Sequence, residues 1–106
     1  MITPTEIADY GQRHVESYLS STGYHCHVSK PHHGATDIDA RGEEDNLFVH
    51  VLAALAPHDV PEPSTSEVGR VVSRAMTLGY DAWLAKVQVT TDGELASDIQ
   101  WSQLNH

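Results

Sequence analysis

The segment that most constrains the fold is LFVHVLAAL, residues 47–55, which is apolar at every position except one. A strand with one solvated face alternates apolar and polar residues, whereas a strand that is apolar on both faces is typical of the middle of a covered sheet. We therefore predict that residues 47–55 form a central strand with other layers packed on both sides. The exception is His50, a polar side chain that needs a hydrogen-bond partner once it is buried.

Two helices are predicted, one before this strand and one after it. A capping box at residues 3–6 and a stop at Gly23 predict a helix over about residues 4–22. A second capping box at residues 64–67 begins a helix that stops at Gly79. Its predicted core stripe has the i, i+3, i+4 spacing of an amphipathic helix and consists of Val68, Val71, Val72, Ala75 and Met76.

Alternating patterns predict four more strands. They lie at about residues 24–29, at residues 36–41, around residues 83–89, and in a last segment that contains Leu95, Ile99 and Trp101. The order of elements is then α-β-β-β-α-β-β. We expect an α/β (α+β) fold with a central mixed sheet flanked by helices, in a single domain over residues 1–106.

The charge balance limits the classes of partner. Six Lys and Arg residues against 15 Asp and Glu residues give a formal net charge of −9 at pH 7, which disfavours nucleic-acid binding. The single cysteine, Cys26, allows no disulfide within the chain. No stretch of the sequence resembles a signal peptide or a membrane span, so we expect a cytoplasmic protein without a membrane partner.

The predicted hairpin of the second and third strands holds the candidate site residues. Asp37 and Asp39 fall on one face of the second strand, and His50 lies in the third. Together they have the donor types for a metal of intermediate softness, such as Mn²⁺ or Zn²⁺. The interpretation that we favour makes the aspartates solvated residues or helix caps, and makes His50 a neutral histidine bonded to Asp37 or to a backbone carbonyl.

Eight histidines also raise the question of a metal site elsewhere. His25 and His27 share one face of the first strand, and His32 and His33 lie in the predicted turn after it. No Cys-x-x-Cys or His-Glu-x-x-His pattern accompanies them. We interpret them as solvated residues of an edge strand.

The order of elements resembles the α-β-β-β-α-β core of the PD-(D/E)xK, or restriction-endonuclease-like, superfamily. One family of that superfamily is the YraN-like family of small proteins. Its opening segment is similar to residues 11–24 of this chain, GQRHVESYLSSTGY. The segments GATD at residues 34–37 and FVHVL at residues 48–52 match that family's Gly-Glu-Ile-Asp and Phe-Val-Glu-Val-Lys segments in spacing. The resemblance covers about the first half of the chain.

Carried over residue by residue, the family signature is degenerate. Its helix-one Glu is Gln12, its strand-two Asp is kept as Asp37, its strand-three Glu is His50 and its Lys is Leu52. Hydrolysis of a phosphodiester needs acidic metal ligands and a cation near the attacking water, and Leu52 supplies no charge. We expect no cofactor, with Mg²⁺ or Mn²⁺ relevant only if a residual site is active. Replacement of the lysine by Lys86 or Arg74 is the less favoured interpretation.

Three hypotheses of function follow. The first is a catalytically inactive protein with a nuclease fold that serves as a binding or assembly module, for an unknown protein partner or as a homodimer. The second is a divergent, divalent-metal-dependent nuclease that acts on DNA through Asp37, Asp39 and His50. The third is an acidic protein-binding regulator of a nucleic-acid system, because a net charge of −9 can mimic a polyanion.

Overall fold

The computed structural model describes residues 2–29 and 36–105. Its elements follow the predicted order, and the fold is α+β with one five-stranded mixed sheet and two helices. The elements are α1 (Pro4–Ser21), β1 (His25–Ser29), β2 (Thr36–Arg41), β3 (Asn46–Leu55), α2 (Thr65–Leu78), β4 (Asp81–Val89) and β5 (Gln100–Gln103).

The strands lie in the order β1-β2-β3-β4-β5, so β3 occupies the centre of the sheet. Neighbouring strands are antiparallel except for β3 and β4, which are parallel because α2 crosses over between them. The prediction of a central strand at residues 47–55 is confirmed. Residues 56–64 contain no helix or strand and connect β3 to α2, as the three prolines in this stretch indicate.

The two helices cover opposite faces of the sheet. Helix α1 packs on the face that presents Val49 and Val51, and it buries Val15 and Leu19 there. The close approach of this helix depends on Gly11, because a Cβ at that position would lie 2.7 Å from the Cβ of Ala53. This face holds the larger of the two apolar clusters.

Helix α2 covers the other face with a smaller apolar cluster. Its buried members are Phe48, Val71, Ala75 and Ala82. The predicted core stripe is wrong at one position, because Met76 is 69% exposed. The buried residues of α2 are Val71 and Ala75, which form a single row along the helix, and Met76 lies outside that row.

The predicted helix ends are confirmed, and one strand prediction is corrected. Gly23 and Gly79 have φ angles of 97° and 76°, the left-handed conformation that favours glycine at the end of a helix. The last strand begins at Gln100 rather than near Leu95, which forms only an isolated bridge with Val89 and is 41% exposed. The predicted turn at residues 32–34 lies outside the described residues.

The longest helix of the described residues is the amphipathic α1, with 18 residues. Over residues 2–29 and 36–105, no helix is long and apolar enough to cross a lipid bilayer.

Candidate functional site

The candidate site starts from a cross-strand pair. Asp37 of β2 and His50 of β3 are direct partners in the antiparallel register, so their side chains leave the sheet on the same face. His50 Nδ1 lies 2.8 Å from Asp37 Oδ1, which confirms the predicted hydrogen bond. The interpretation of Asp37 as a solvated residue is wrong, because the residue is only 2% exposed.

Helix α2 brings two more charged side chains to this pair. Ser64 caps the helix by accepting a hydrogen bond from the backbone N–H of Glu67, which fixes the rotation of the first turn. Glu67 and Arg70 are three residues apart and therefore lie on one side of the helix. Glu67 Oε2 is 3.1 Å from His50 Nε2, and Arg70 Nη1 donates to Asp37 Oδ2 at 2.8 Å.

These four residues, Asp37, His50, Glu67 and Arg70, form what we call the polar network. Both ring nitrogens of His50 face carboxylate oxygens, and an ionised carboxylate only accepts hydrogen bonds. A ring nitrogen that carries a proton therefore donates to the carboxylate that it faces. The network thus joins β2, β3 and α2 through side-chain contacts.

The electrostatics of Asp37 follow from its burial and from its contacts in the polar network. Burial acts to raise the pKa of the Asp37 carboxyl, because it penalises the charged form. The hydrogen bonds from His50 and Arg70, together with their charges, outweigh burial and hold that pKa below its ordinary value. Asp37 is therefore a stably ionised carboxylate whose two oxygens are both engaged by protein groups.

Asp39 lies on the same strand face but stays outside the polar network. Its carboxylate contacts the exposed Arg41 at 3.4 Å, and its side chain is 18% exposed. Asp37 and Asp39 both line a pocket of about 400 Å³ that opens between β1, β2 and α2. Arg70 and Arg74 line the same pocket, so two of the few cations gather here.

The predicted metal ligands do not fit a metal ion in this arrangement. Arg70 and His50 occupy the oxygens of Asp37, and carboxylates occupy both nitrogens of His50. Within residues 2–29 and 36–105, no group of three or more His, Cys, Asp or Glu side chains is arranged to hold a metal. Metal binding by Asp37, Asp39 and His50 stays a prediction, and it requires Arg70 to move.

The remaining signature positions lie apart from the polar network. Gln12 belongs to α1, which packs on the opposite face of the sheet. Leu52 lies on the same face of β3 as His50, two residues further along the strand. Lys86 is the β4 neighbour of Leu52, on the face opposite to Trp83 as predicted, and its ammonium group contacts Glu62.

The histidines of the edge strand match their interpretation. His25 and His27 are both exposed on β1, which forms one edge of the sheet. His32 and His33 are not among the described residues.

Sequence reasoning missed Glu67 and Arg70 as members of the site. Glu67 was assigned only a capping role, and its backbone N–H does fill that role while its carboxylate reaches His50. One signal in the sequence could have found them. A histidine inside an apolar strand needs a partner for each ring nitrogen, and the predicted helix over this sheet carries charged residues beside its apolar stripe.

In comparisons with known proteins, no family model and no curated protein sequence matches this chain.

Proposed function

We propose that this chain is a non-catalytic binding protein with a nuclease-like fold, in which the polar network occupies the position of a former catalytic site. One observation carries the proposal. The acid and the imidazole that would have to face a metal ion and a water molecule instead bond to each other and to α2. The two residues are only 2% and 1% exposed.

The missing cation supports the same conclusion. A nuclease of this type places a lysine two residues after the strand-three acid, where it stabilises the charge that develops in the transition state. Leu52 has no charged group for this role. Lys86 lies beside Leu52 on the neighbouring strand, but its ammonium group is paired with Glu62. Loss of one such stabilising group lowers a rate by about 10²–10³.

The alternative, a divergent metal-dependent nuclease, has one observation in its favour. Asp37 and Asp39 line the same open pocket, as two metal ligands of such an enzyme would. The guanidinium of Arg70 lies between Asp37 and any metal in that pocket, because it holds both oxygens of the carboxylate at 2.8 and 3.5 Å. The nuclease alternative therefore needs a rearrangement that the binding function does not.

DNA cleavage and metal binding test the proposal together. Supercoiled and branched DNA are incubated with the purified chain in Mg²⁺ or Mn²⁺, and Mn²⁺ binding is measured by calorimetry. We expect no cleavage of either DNA and no heat change from Mn²⁺ binding. Cleavage that is lost in Asp37→Asn would overturn the proposal. Asp39→Asn is the comparison variant for Asp37→Asn. Asp39 lies outside the polar network, so its replacement leaves the buried pair of Asp37 and His50 intact.

A further inference from the structure

A groove lined by aromatic residues lies on the α1 side of the sheet, opposite the polar network. We call it the aromatic groove. It has a volume of about 390 Å³ and lies between the end of α1 and the strands β3, β4 and β5. Its main walls are Tyr18, Tyr24, Leu47, Trp83 and Trp101.

The aromatic groove is a preformed feature rather than a loose surface. The rings of Tyr18 and Trp101 have centroids 5.5 Å apart, and Trp83 meets Trp101 edge-on at 6.5 Å. Tyr18 is nevertheless 49% exposed. The indole N–H of Trp83 is buried and has no acceptor among the described residues, which is uncommon for a buried tryptophan.

An acidic turn adjoins the aromatic groove. The turn between β2 and β3 carries Glu43, Glu44 and Asp45, and these residues line a pocket of about 380 Å³ that shares Thr22 and Tyr24 with the groove. All three acidic residues are exposed. The acidic turn and the aromatic groove are thus parts of one continuous surface.

Tyr24 fixes the junction between the two parts. Its hydroxyl donates to Asp45 at 2.7 Å, and its ring lies over Gly42, where a Cβ would come within 2.7 Å of it. That hydrogen bond, burial, and the charges of Asp45, Glu44 and Asp81 raise the pKa of Tyr24 to about 12. The hydrogen bond from Tyr24 to Asp45 thus joins the acidic turn to a wall of the aromatic groove.

We propose that the aromatic groove and the acidic turn together bind an extended cationic segment of a partner protein. An apolar side chain of the segment fills the groove, and Lys or Arg side chains meet Glu43 and Glu44. This inference rests on the proposed binding function and names the partner's chemistry. It follows from charge complementarity, since the groove walls are uncharged while the adjoining turn and the chain as a whole are acidic.

A cationic segment fits this surface better than a second copy of the chain does. A second copy also carries a net charge of −9 and would bring its own acidic turn to the interface. Arginine suits the acidic turn, because its planar guanidinium pairs with carboxylates through two parallel hydrogen bonds.

Tryptophan fluorescence gives a direct test, because Trp83 and Trp101 are the two tryptophans of the chain and both line the groove. The probe is a synthetic peptide in which Arg and Leu alternate, and the matched control replaces each Arg with Glu. We expect a saturable change in fluorescence with the Arg peptide, weaker binding at higher salt and no binding of the Glu peptide.

Two pairs of substitutions localise the binding. Glu43→Gln with Glu44→Gln is expected to weaken binding of the Arg peptide about three- to tenfold, as for the loss of two exposed ion pairs. Asp92→Asn with Glu94→Gln makes the same change in net charge at the turn after β4, where both residues are exposed, and is expected to leave affinity unchanged. Circular dichroism verifies that each variant is folded.

Absence of binding by the Arg peptide, or equal weakening by the two pairs, would overturn this inference. Either result leaves the DNA-cleavage and metal-binding measurements unaffected. Failure of the inference about the cationic segment is therefore distinguishable from failure of the proposed function. Binding with a second copy of the chain is excluded separately if sedimentation shows a monomer while the peptide binds.

Discussion

The two faces of the sheet are stabilised by different physics, although the same two strands build both. On the α1 face, Ile38 and Val49 join Val15 and Leu19 in an apolar cluster. Asp37 precedes Ile38 on β2, and His50 follows Val49 on β3. The side chains of Asp37 and His50 therefore point to the α2 face, where they meet charged groups. Non-directional burial stabilises the first face, whereas the second depends on hydrogen bonds with defined geometry.

This difference teaches where the chain can tolerate change. Apolar residues in a cluster can exchange for others of similar volume, because burial depends mainly on area and packing. The polar network has no such tolerance, because removal of one member leaves a buried charge or donor without its partner. We therefore expect the two faces to respond differently to substitution and to acid.

The largest effect is expected on the α1 face. Leu19→Ala removes a side chain that is 2% exposed from the larger cluster, which should lower the free energy of unfolding by about 3–4 kcal/mol. Denaturation in urea measures this change. Tyr18→Ala is the control, since Tyr18 is half exposed on the same helix and should cost much less. Equal losses would contradict burial of Leu19 as the source of the larger stabilisation.

A smaller effect is expected from the polar network. Asp37→Ala leaves His50 and Arg70 without their acceptor, and we expect a loss of about 2–3 kcal/mol in the free energy of unfolding. The loss is below that of a fully buried pair because the Arg70 side chain is 35% exposed and water can solvate it. Asp39→Ala, on the same strand face, should cost less than about 1 kcal/mol. A similar cost for both variants would show that the network does not stabilise the fold.

The smallest effect is the change of stability with acid, which is expected for the polar network and not for the apolar cluster on the α1 face. The pKa of Asp37 is lowered in the folded state, so its stabilisation is complete above the unfolded pKa of about 3.9 and is lost as pH falls through the folded value. The stability difference between the wild type and Asp37→Asn should therefore shrink below about pH 4, while the difference for Leu19→Ala stays constant. Urea denaturation at several pH values measures both, and a constant Asp37→Asn difference would contradict the network.

Much of the fold could be predicted from local patterns in the sequence. The capping residues Thr3 and Ser64 and the glycines at 23 and 79 indicate both helices, because those signals act within one turn of the chain, although only Thr3 and Glu6 form the full capping box. The apolar run at residues 47–55 identified the central strand. Met76 was misassigned because the helical period alone does not give the width of the surface that α2 covers.

The candidate site was only half predictable. The sequence left two partners open for His50, Asp37 or a backbone carbonyl, and the antiparallel register of the hairpin selects Asp37. Glu67 and Arg70 come from a helix that follows a long connection, and no local pattern sets which side chains of α2 reach the sheet. Tertiary packing decided those partners.

The first helix and the last turn of the sheet are joined by a contact that spans most of the chain. His14 Nε2 lies 2.7 Å from the carbonyl oxygen of Gly93, 79 residues away. The ring of Tyr10 occupies the place where a Cβ on Gly93 would stand, and the φ angle of 85° also requires glycine. During synthesis, α1 therefore leaves the ribosome long before the residue that completes its packing, and this helix reaches its full stability only after Gly93 has emerged.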